Sequence, residues 1–443
     1  MAARILLAGD VMLGRLVGKA IGKKGSSWPL GSLEPVFHGA DAILFNLECA
    51  ITSSKKIWNG PPKAFYFGAP ESAVQALIAC EFTAASLANN HLLDFGYRGM
   101  LDTLQLLDDA GILHAGAGRN ASEAAKPAFF ERKGISFGLI SCCDHQQDFS
   151  AGEDSPGIRF LDLSDEKTAL EKLREDFGMV SGCDWPILSL HWGPNLVDHP
   201  SEGFRRIARS AIDMGFRLIH GHSAHVFHGV EMYRGSPIFY SCGDLVDDYL
   251  VDPHFRNDHQ LIFDLSLERK GMKSLSFHPV LIECCRASPA TGKSRVWIAR
   301  EMARRCEELG TRVSEDFRIL PPGSDCDRQP FLLPQAEGIE TGHFQGNDVG
   351  LTDVSDGAKL AGESQHPAQL AGDLEPFPVT VAIEFDRDGC EIVHILFDLP
   401  DRILLLEPDA ERPAVLVFTL HEFETSRFPE RYRNENGAGR NAG

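Results

Sequence analysis

The sequence predicts an α/β fold, a layered α/β/β/α sandwich with a small C-terminal β-rich appendage, and three observations lead there. Short, nearly continuous apolar runs recur at residues 5–8, 42–45, 82–87, 135–140, 186–190, 216–219 and 238–240, as in strands covered on both faces. Segments of helical period lie between several of these runs, which is the alternation of an α/β layered domain. Residues capable of acid–base or metal chemistry fall at the places where the apolar runs stop.

Taken in order, the first run ends at Gly9-Asp10. It is too short for a signal-peptide core of about 7–15 apolar residues, so it reads as a buried strand. The second ends in Asn46-Leu-Glu48, and a short helical face follows at Val74, Leu77 and Ile78. The third ends in Asn89-Asn90-His91, and Leu101, Leu104 and Leu107 mark another helix. The run at 186–190 is followed by His191, and residues 202–214 carry Phe204, Ile207, Ala208, Ala211 and Ile212 on one amphipathic face. His220, His222 and His225 follow the run at 216–219, and Asp244 follows the run at 238–240.

Beyond residue 260 the pattern changes to paired strands at 260–267 and 276–283 and a closing helix at 296–310. These elements complete a domain over residues 1–315. Residues 316–375 are rich in Gly, Pro, Ser, Asp and Gln without periodicity, and read as a linker or loose loop. Residues 376–443 regain alternation at 379–385, 393–397 and 414–420 before a polar, fraying tail.

Composition narrows the function. The chain of 443 residues carries 43 Lys and Arg against 63 Asp and Glu, a formal charge of −20. Such a field repels phosphate backbones, so no nucleic-acid partner is expected. No apolar run approaches the ~20 residues of a membrane span. The 11 cysteines are odd in number and contain no Cys-x-x-Cys. A disulfide framework and a thiolate zinc site are therefore not expected, and a reduced cytoplasmic setting is.

In open α/β sheets ligands bind outside the carboxyl ends of the strands, so the strand-end residues should converge on one surface. Carboxylate, imidazole and carboxamide donors suit Mn, Fe or Zn, and their number exceeds what one tetrahedral ion takes. One or two divalent ions are expected, a pair lying about 3.5–4 Å apart.

The segments Gly9-Asp10-Val-Met-Leu-Gly-Arg15, Asn46-Leu-Glu48, Ala88-Asn-Asn-His91-x-x-Asp94-x-Gly96, His191-Trp-Gly193 and Gly221-His-x-x-His225 carry a family resemblance. Together they resemble CapA-type proteins of capsule and poly-γ-glutamate synthesis, relatives of the calcineurin-like metallophosphoesterases. The resemblance runs from residue 4 to about 315. It implies a metal site at the top edge of the sandwich, with Asp10 and His225 on one ion, Asn90, His191 and His222 on the other, and Glu48 bridging them. Three positions depart from the pattern. Met12 stands where the superfamily often has a His ligand, Ala224 where the family often has Pro before the final His, and Asp244 where the family often has Asn. Asp244 is then an added ligand or only a cap, and a one-metal site stays open.

With both ions bound, a bridging water would be deprotonated near neutral pH. His91 would donate a proton to the leaving oxygen, Asp94 would orient its imidazole, and Arg15 would neutralise developing charge. The expected activity is hydrolysis of a phosphoester or of a poly-γ-glutamate or envelope-type polymer. Two alternatives are metal-assisted exchange of a Cα proton on a peptide and a non-catalytic scaffold in polymer synthesis. The partner is thus a small molecule, peptide or polymer.

Overall fold

The computed structural model describes residues 1–320, together with the backbone of five strands between residues 384 and 419. The chain divides into a large N-terminal unit and a smaller C-terminal one. In the large unit the apolar runs become strands of two sheets. The first sheet is built on β1 (Ala3–Val11), β2 (Ala42–Leu47), β3 (Ala84–Ser86) and β4 (Leu113–Ala115), all parallel. The second is built on β5 (Ala128–Arg132), β6 (Ile135–Cys143), β7 (Trp185–His191), β8 (Leu218–His222), β9 (Val230–Tyr233) and β10 (Ser236–Phe239). Its order is β9-β10-β8-β7-β6-β5, with β6, β7, β8 and β10 parallel.

Four later strands return to the first sheet. The short β11 (Asp244–Val246) pairs in parallel with the end of β1. The hairpin of β12 (His259–Glu268) and β13 (Gly271–Glu283) adds antiparallel to β1, and β14 (Arg286–Pro289) closes that edge. Strand Ile319–Leu320 pairs with Arg312–Val313, so ordered pairing continues past residue 315.

The two sheets pack face to face. Ile5, Leu7, Leu44 and Phe263 of the first and Phe137, Leu139, Ile187, Leu218 and Phe239 of the second share one buried cluster. Ile298, Met302 and Cys306 of the closing helix α5 (Gly292–Glu308) seal the same cluster at one end. The outer face of the second sheet carries α3 (Glu166–Val180) and α4 (Glu202–Met214). Ser201 caps α4 by accepting the Phe204 amide, and Ile207, Ala208, Ala211 and Ile212 are buried as their spacing predicts. On the outer face of the first sheet lie α1 (Arg15–Lys24) and α2 (Gly96–Asp109), where Phe37 and Phe45 pack edge-on against Phe82. The result is four layers, α/β/β/α. Two helix faces are rotated from expectation. Met100, Thr103, Leu104 and Leu107 form the buried face of α2 rather than Leu101, and Ile78 is exposed.

Eight described cysteines are free thiols. Among the described residues no helix is long and apolar enough to cross a membrane. In the C-terminal unit, Glu384–Arg387 pairs with Cys390–Val393, and Leu396–Leu399, Arg402–Pro408 and Pro413–Thr419 form a three-stranded antiparallel sheet. The expected linker lies almost wholly outside the described residues.

Candidate metal centre

The carboxyl ends of β1, β2, β7 and β8 meet at one edge of the sandwich. Register does much of the placing: Asp10 stands opposite Asn46 on β2 and Asp244 on β11, and His191 stands opposite His222. The chain approaches itself closely here. A Cβ on residue 9 would lie 1.8 Å from the Gly243 carbonyl oxygen, so only glycine lets β1 pass that loop. The same carbonyl accepts the Asp10 amide at 2.9 Å. Ser223 and His225 hold φ values of 105° and 58°, left-handed backbone that non-glycine residues adopt at a cost. The bend turns the Ser223 amide onto Asp10 Oδ2 at 3.0 Å.

Two groups of donor atoms result, with Asp10 common to both: Asp10, His191 and His222, and Asp10, Glu48, His225 and Asp244. In the first, His191 Nδ1 and His222 Nδ1 are 2.9 Å apart and lie 3.9 and 3.6 Å from Asp10 Oδ1. Two imidazole nitrogens that close need a shared proton or a shared cation between them. Asn90 Oδ1 lies 3.0 Å from His191 Nε2, which brings the carboxamide into the same group. In the second, His225 Nδ1 is 3.0 Å from Asp244 Oδ1 and 3.8 Å from Asp10 Oδ2. Glu48 Oε1 lies 3.7 Å from His191 Nε2, so Glu48 reaches toward the first group too. Asp10 is the carboxylate common to both groups.

The donors fit a divalent cation on their own chemistry. Glu48 Oε1 and Asp244 Oδ2 are buried and have no hydrogen-bond partner. Such orphaned carboxylate oxygens carry a large desolvation cost unless a cation faces them. Burial pushes the Asp10 carboxyl up to about 6. Burial and then the neighbouring Asp10 charge raise Glu48 and Asp244 well above the usual carboxylate range. Burial and then a neighbouring imidazole, that of His222 for His191 and that of His220 for His222, hold both rings well below the ordinary histidine value, which favours the neutral form.

The proposed catalytic residues lie at the rim. His91 Nδ1 is 2.6 Å from Asp94 Oδ2, which also accepts the Phe67 amide at 2.7 Å. Phe67 stacks on the His91 ring, with centroids 3.7 Å apart and planes within 17°. The Arg15 guanidinium lies 5.5 Å from the Phe67 centroid, and its Nε is 3.3 Å from Asp248 Oδ2. It thus stands one ring removed from His91, against an acidic partner. Trp192 is core, donating to the Tyr240 carbonyl oxygen at 2.8 Å.

Two participants named at strand ends were given no role by the sequence, and two others it did not name. Asn46 donates to Asp10 Oδ1 at 2.7 Å, and Asn89 donates to Asn46 Oδ1 at 3.1 Å. Tyr249 donates to Glu48 Oε2 at 3.2 Å. His145 sits with its ring 5.8 Å from that of His191 and its Nδ1 2.5 Å from Asp144 Oδ1. Asn46 and Asn89 had a legible signal, their strand-end position. Tyr249 and His145 had none, because loops outside any periodic pattern bring them in.

Comparison with known proteins gives the chain its relatives. The family model for the bacterial capsule synthesis protein PGA_cap matches residues 4–249. A "Probable polyglutamine synthesis accessory protein" of Mycobacterium tuberculosis is 29% identical over 354 residues, 70% of this chain and 92% of the relative. The "PGA biosynthesis protein CapA" of Bacillus subtilis is 29% identical over 54% of this chain and 62% of its own length. The "Capsule biosynthesis protein CapA" of Bacillus anthracis is 26% identical over 58% of this chain and 65% of its own. A solved 5'-nucleotidase precursor from Thermus thermophilus aligns with a TM-score of 0.35 at 13% identity, covering 70% of this chain and 59% of that one. With more than half its length matched by the model, this chain belongs to the bacterial capsule synthesis family PGA_cap.

Proposed function

We propose that this chain is a metal-dependent hydrolase that acts on an anionic polymer or ester of the kind handled in capsule synthesis. Asp10, Glu48, Asn90, His191, His222, His225 and Asp244 would hold one or two divalent ions. When bound, such ions supply Lewis acidity to a phosphoryl or carbonyl oxygen. The observation that carries the catalytic reading is the His91–Asp94 pair beside Asn90. A histidine oriented by a buried carboxylate, adjacent in sequence to a ligand, suits proton transfer and has no role in merely holding a metal.

The protein's own residues account for the proton steps. Asp94 accepts from Nδ1–H of His91, so a proton for the leaving group is carried at Nε2. The Phe67 amide holds the Asp94 carboxylate, and the Phe67 ring holds the imidazole plane. Deep burial excludes water around the carboxylates and strengthens every electrostatic contact with the substrate. That same burial also favours a second reading, a structural metal in a scaffold protein, since closed coordination is what a structural site needs.

One variant separates the two. His91→Ala should retain the wild-type metal content while hydrolysis of aryl phosphates or of poly-γ-glutamate falls by about 10²–10⁴. Loss of metal in that variant, or a wild-type protein that holds metal and turns over neither substrate, would count for the scaffold.

A further inference from the structure

Behind the ligands runs a buried polar chain from the backbone of β1, through His220 and Ser189, to His222. The pairing of β7 with β8 sets it up: Ser189 stands opposite His220 and His191 opposite His222. With a side-chain period of two, both pairs lie on one face of the sheet. Ser189, His220 and His222 are all fully buried.

The direction of each hydrogen bond follows from the first. His220 Nε2 lies 2.9 Å from the Ala8 carbonyl oxygen. A carbonyl only accepts, so in a neutral ring this nitrogen carries the proton and Nδ1 is a lone pair. Ser189 Oγ, 3.0 Å from His220 Nδ1, must donate its single proton there. Toward His222 Nε2, at 2.9 Å, Ser189 Oγ can then only accept. His222 is thereby protonated on Nε2, and its Nδ1 lone pair faces His191 Nδ1 at 2.9 Å and Asp10 Oδ1 at 3.6 Å.

We propose that Ser189 and His220 are positioning residues that fix the tautomer of His222 and so aim its Nδ1 lone pair into the metal centre. The relay opposes a specific competitor. Asp10 Oδ1 lies close enough to attract a proton onto Nδ1, and a proton there blocks coordination. Without the Ser189 acceptor, His222 Nε2–H would also be left unsatisfied in a buried site, which further favours moving the proton. Partners of this kind, which set the tautomer of a ligating histidine from behind, typically change metal affinity 10–100-fold when removed.

The inference rests on the metal-centre reading, but its decisive test needs no metal. In full-length, metal-free protein with ring-¹⁵N-labelled histidine, long-range proton–nitrogen correlation at neutral pH reads each tautomer directly. The expected result is His222 protonated on Nε2 in the wild type. Ser189→Ala, which removes one oxygen, should move a substantial fraction of the proton to Nδ1. It should also weaken zinc or manganese binding by about 10–100-fold in calorimetric titration. A wild-type His222 protonated on Nδ1 overturns the proposal, whether or not the variant folds. So does an unchanged tautomer in Ser189→Ala, whatever its affinity. A wild-type protein with the Nε2 tautomer that binds neither metal would sink the metal reading and leave the relay standing.

Discussion

The two halves of the centre share Asp10 and differ in almost everything else. One is built of imidazole, with His191 and His222 on adjacent parallel strands and held in register by the sheet ladder. The other is built of carboxylate, with Glu48, Asp244 and one imidazole, His225, drawn from three loops or strand ends. The difference lies in how each half copes with burial. Neutral imidazoles go into a dry interior at modest cost, and the Ser189–His222 contact satisfies one of them from behind. Three buried carboxylates repel one another, and two of their oxygens have no hydrogen-bond partner. That half has an unmet need for positive charge, whereas the imidazole half only offers lone pairs. Donor chemistry then favours a harder cation on the carboxylate side and a borderline one on the imidazole side.

The strongest way to break this comparison is to remove what the halves share. Asp10→Asn should abolish binding at both, with metal content by elemental analysis near zero and turnover reduced by at least about 10³. Retention of one full ion would show that the halves are independent of Asp10. Single-sided changes should have smaller effects. Asp244→Asn should weaken manganese binding by about 100-fold and leave zinc uptake by the imidazole half nearly intact, with His222→Ala doing the reverse. Equal losses of both metals in either variant would mean one joint site instead of two chemically distinct ones.

The smallest effect is a control outside the centre. His228 is buried, donates to the Val197 carbonyl oxygen at 2.6 Å, and burial pushes its imidazole down to about 4. The unfolded chain takes up that proton near pH 6.5 and the folded one does not until about 4, so stability is full above 6.5 and falls as pH drops toward 4. The expected slope is about 1.4 kcal/mol per pH unit, near 3 kcal/mol in all. Denaturant melts of wild type and His228→Gln, with and without chelator, should show the slope smaller by about 1.4 kcal/mol per pH unit in the variant, and that difference should persist through metal removal. A wild-type-minus-variant difference that disappears on chelation would trace this acid sensitivity to the centre.

Much of this was legible in the chain because periodicity and strand ends are local properties. The apolar runs marked β1, β2, β6, β7 and β8, and the polar residues after them marked the edge where they meet. The spacing of Ile207, Ala208, Ala211 and Ile212 marked the buried face of α4. Asp10, Glu48, Asn90, His191, His222 and His225 were each named from their place after a strand and from the motifs they share with CapA-type proteins. What local pattern could not carry was the pairing of distant segments. Asp244 reaches Asp10 only because β11 returns beside β1, and Tyr249 reaches Glu48 from 201 residues away. Arg15, expected as a substrate contact, is also paired with Asp248, which lies far along the chain just past β11. A sequence thus determines which side chains can bind a metal and which face of an element is apolar, since both follow from residue chemistry and backbone period. Which carboxylate both halves share, which oxygens are left without partners and which nitrogen of His222 faces the centre depend on long-range register, and folding alone decides them.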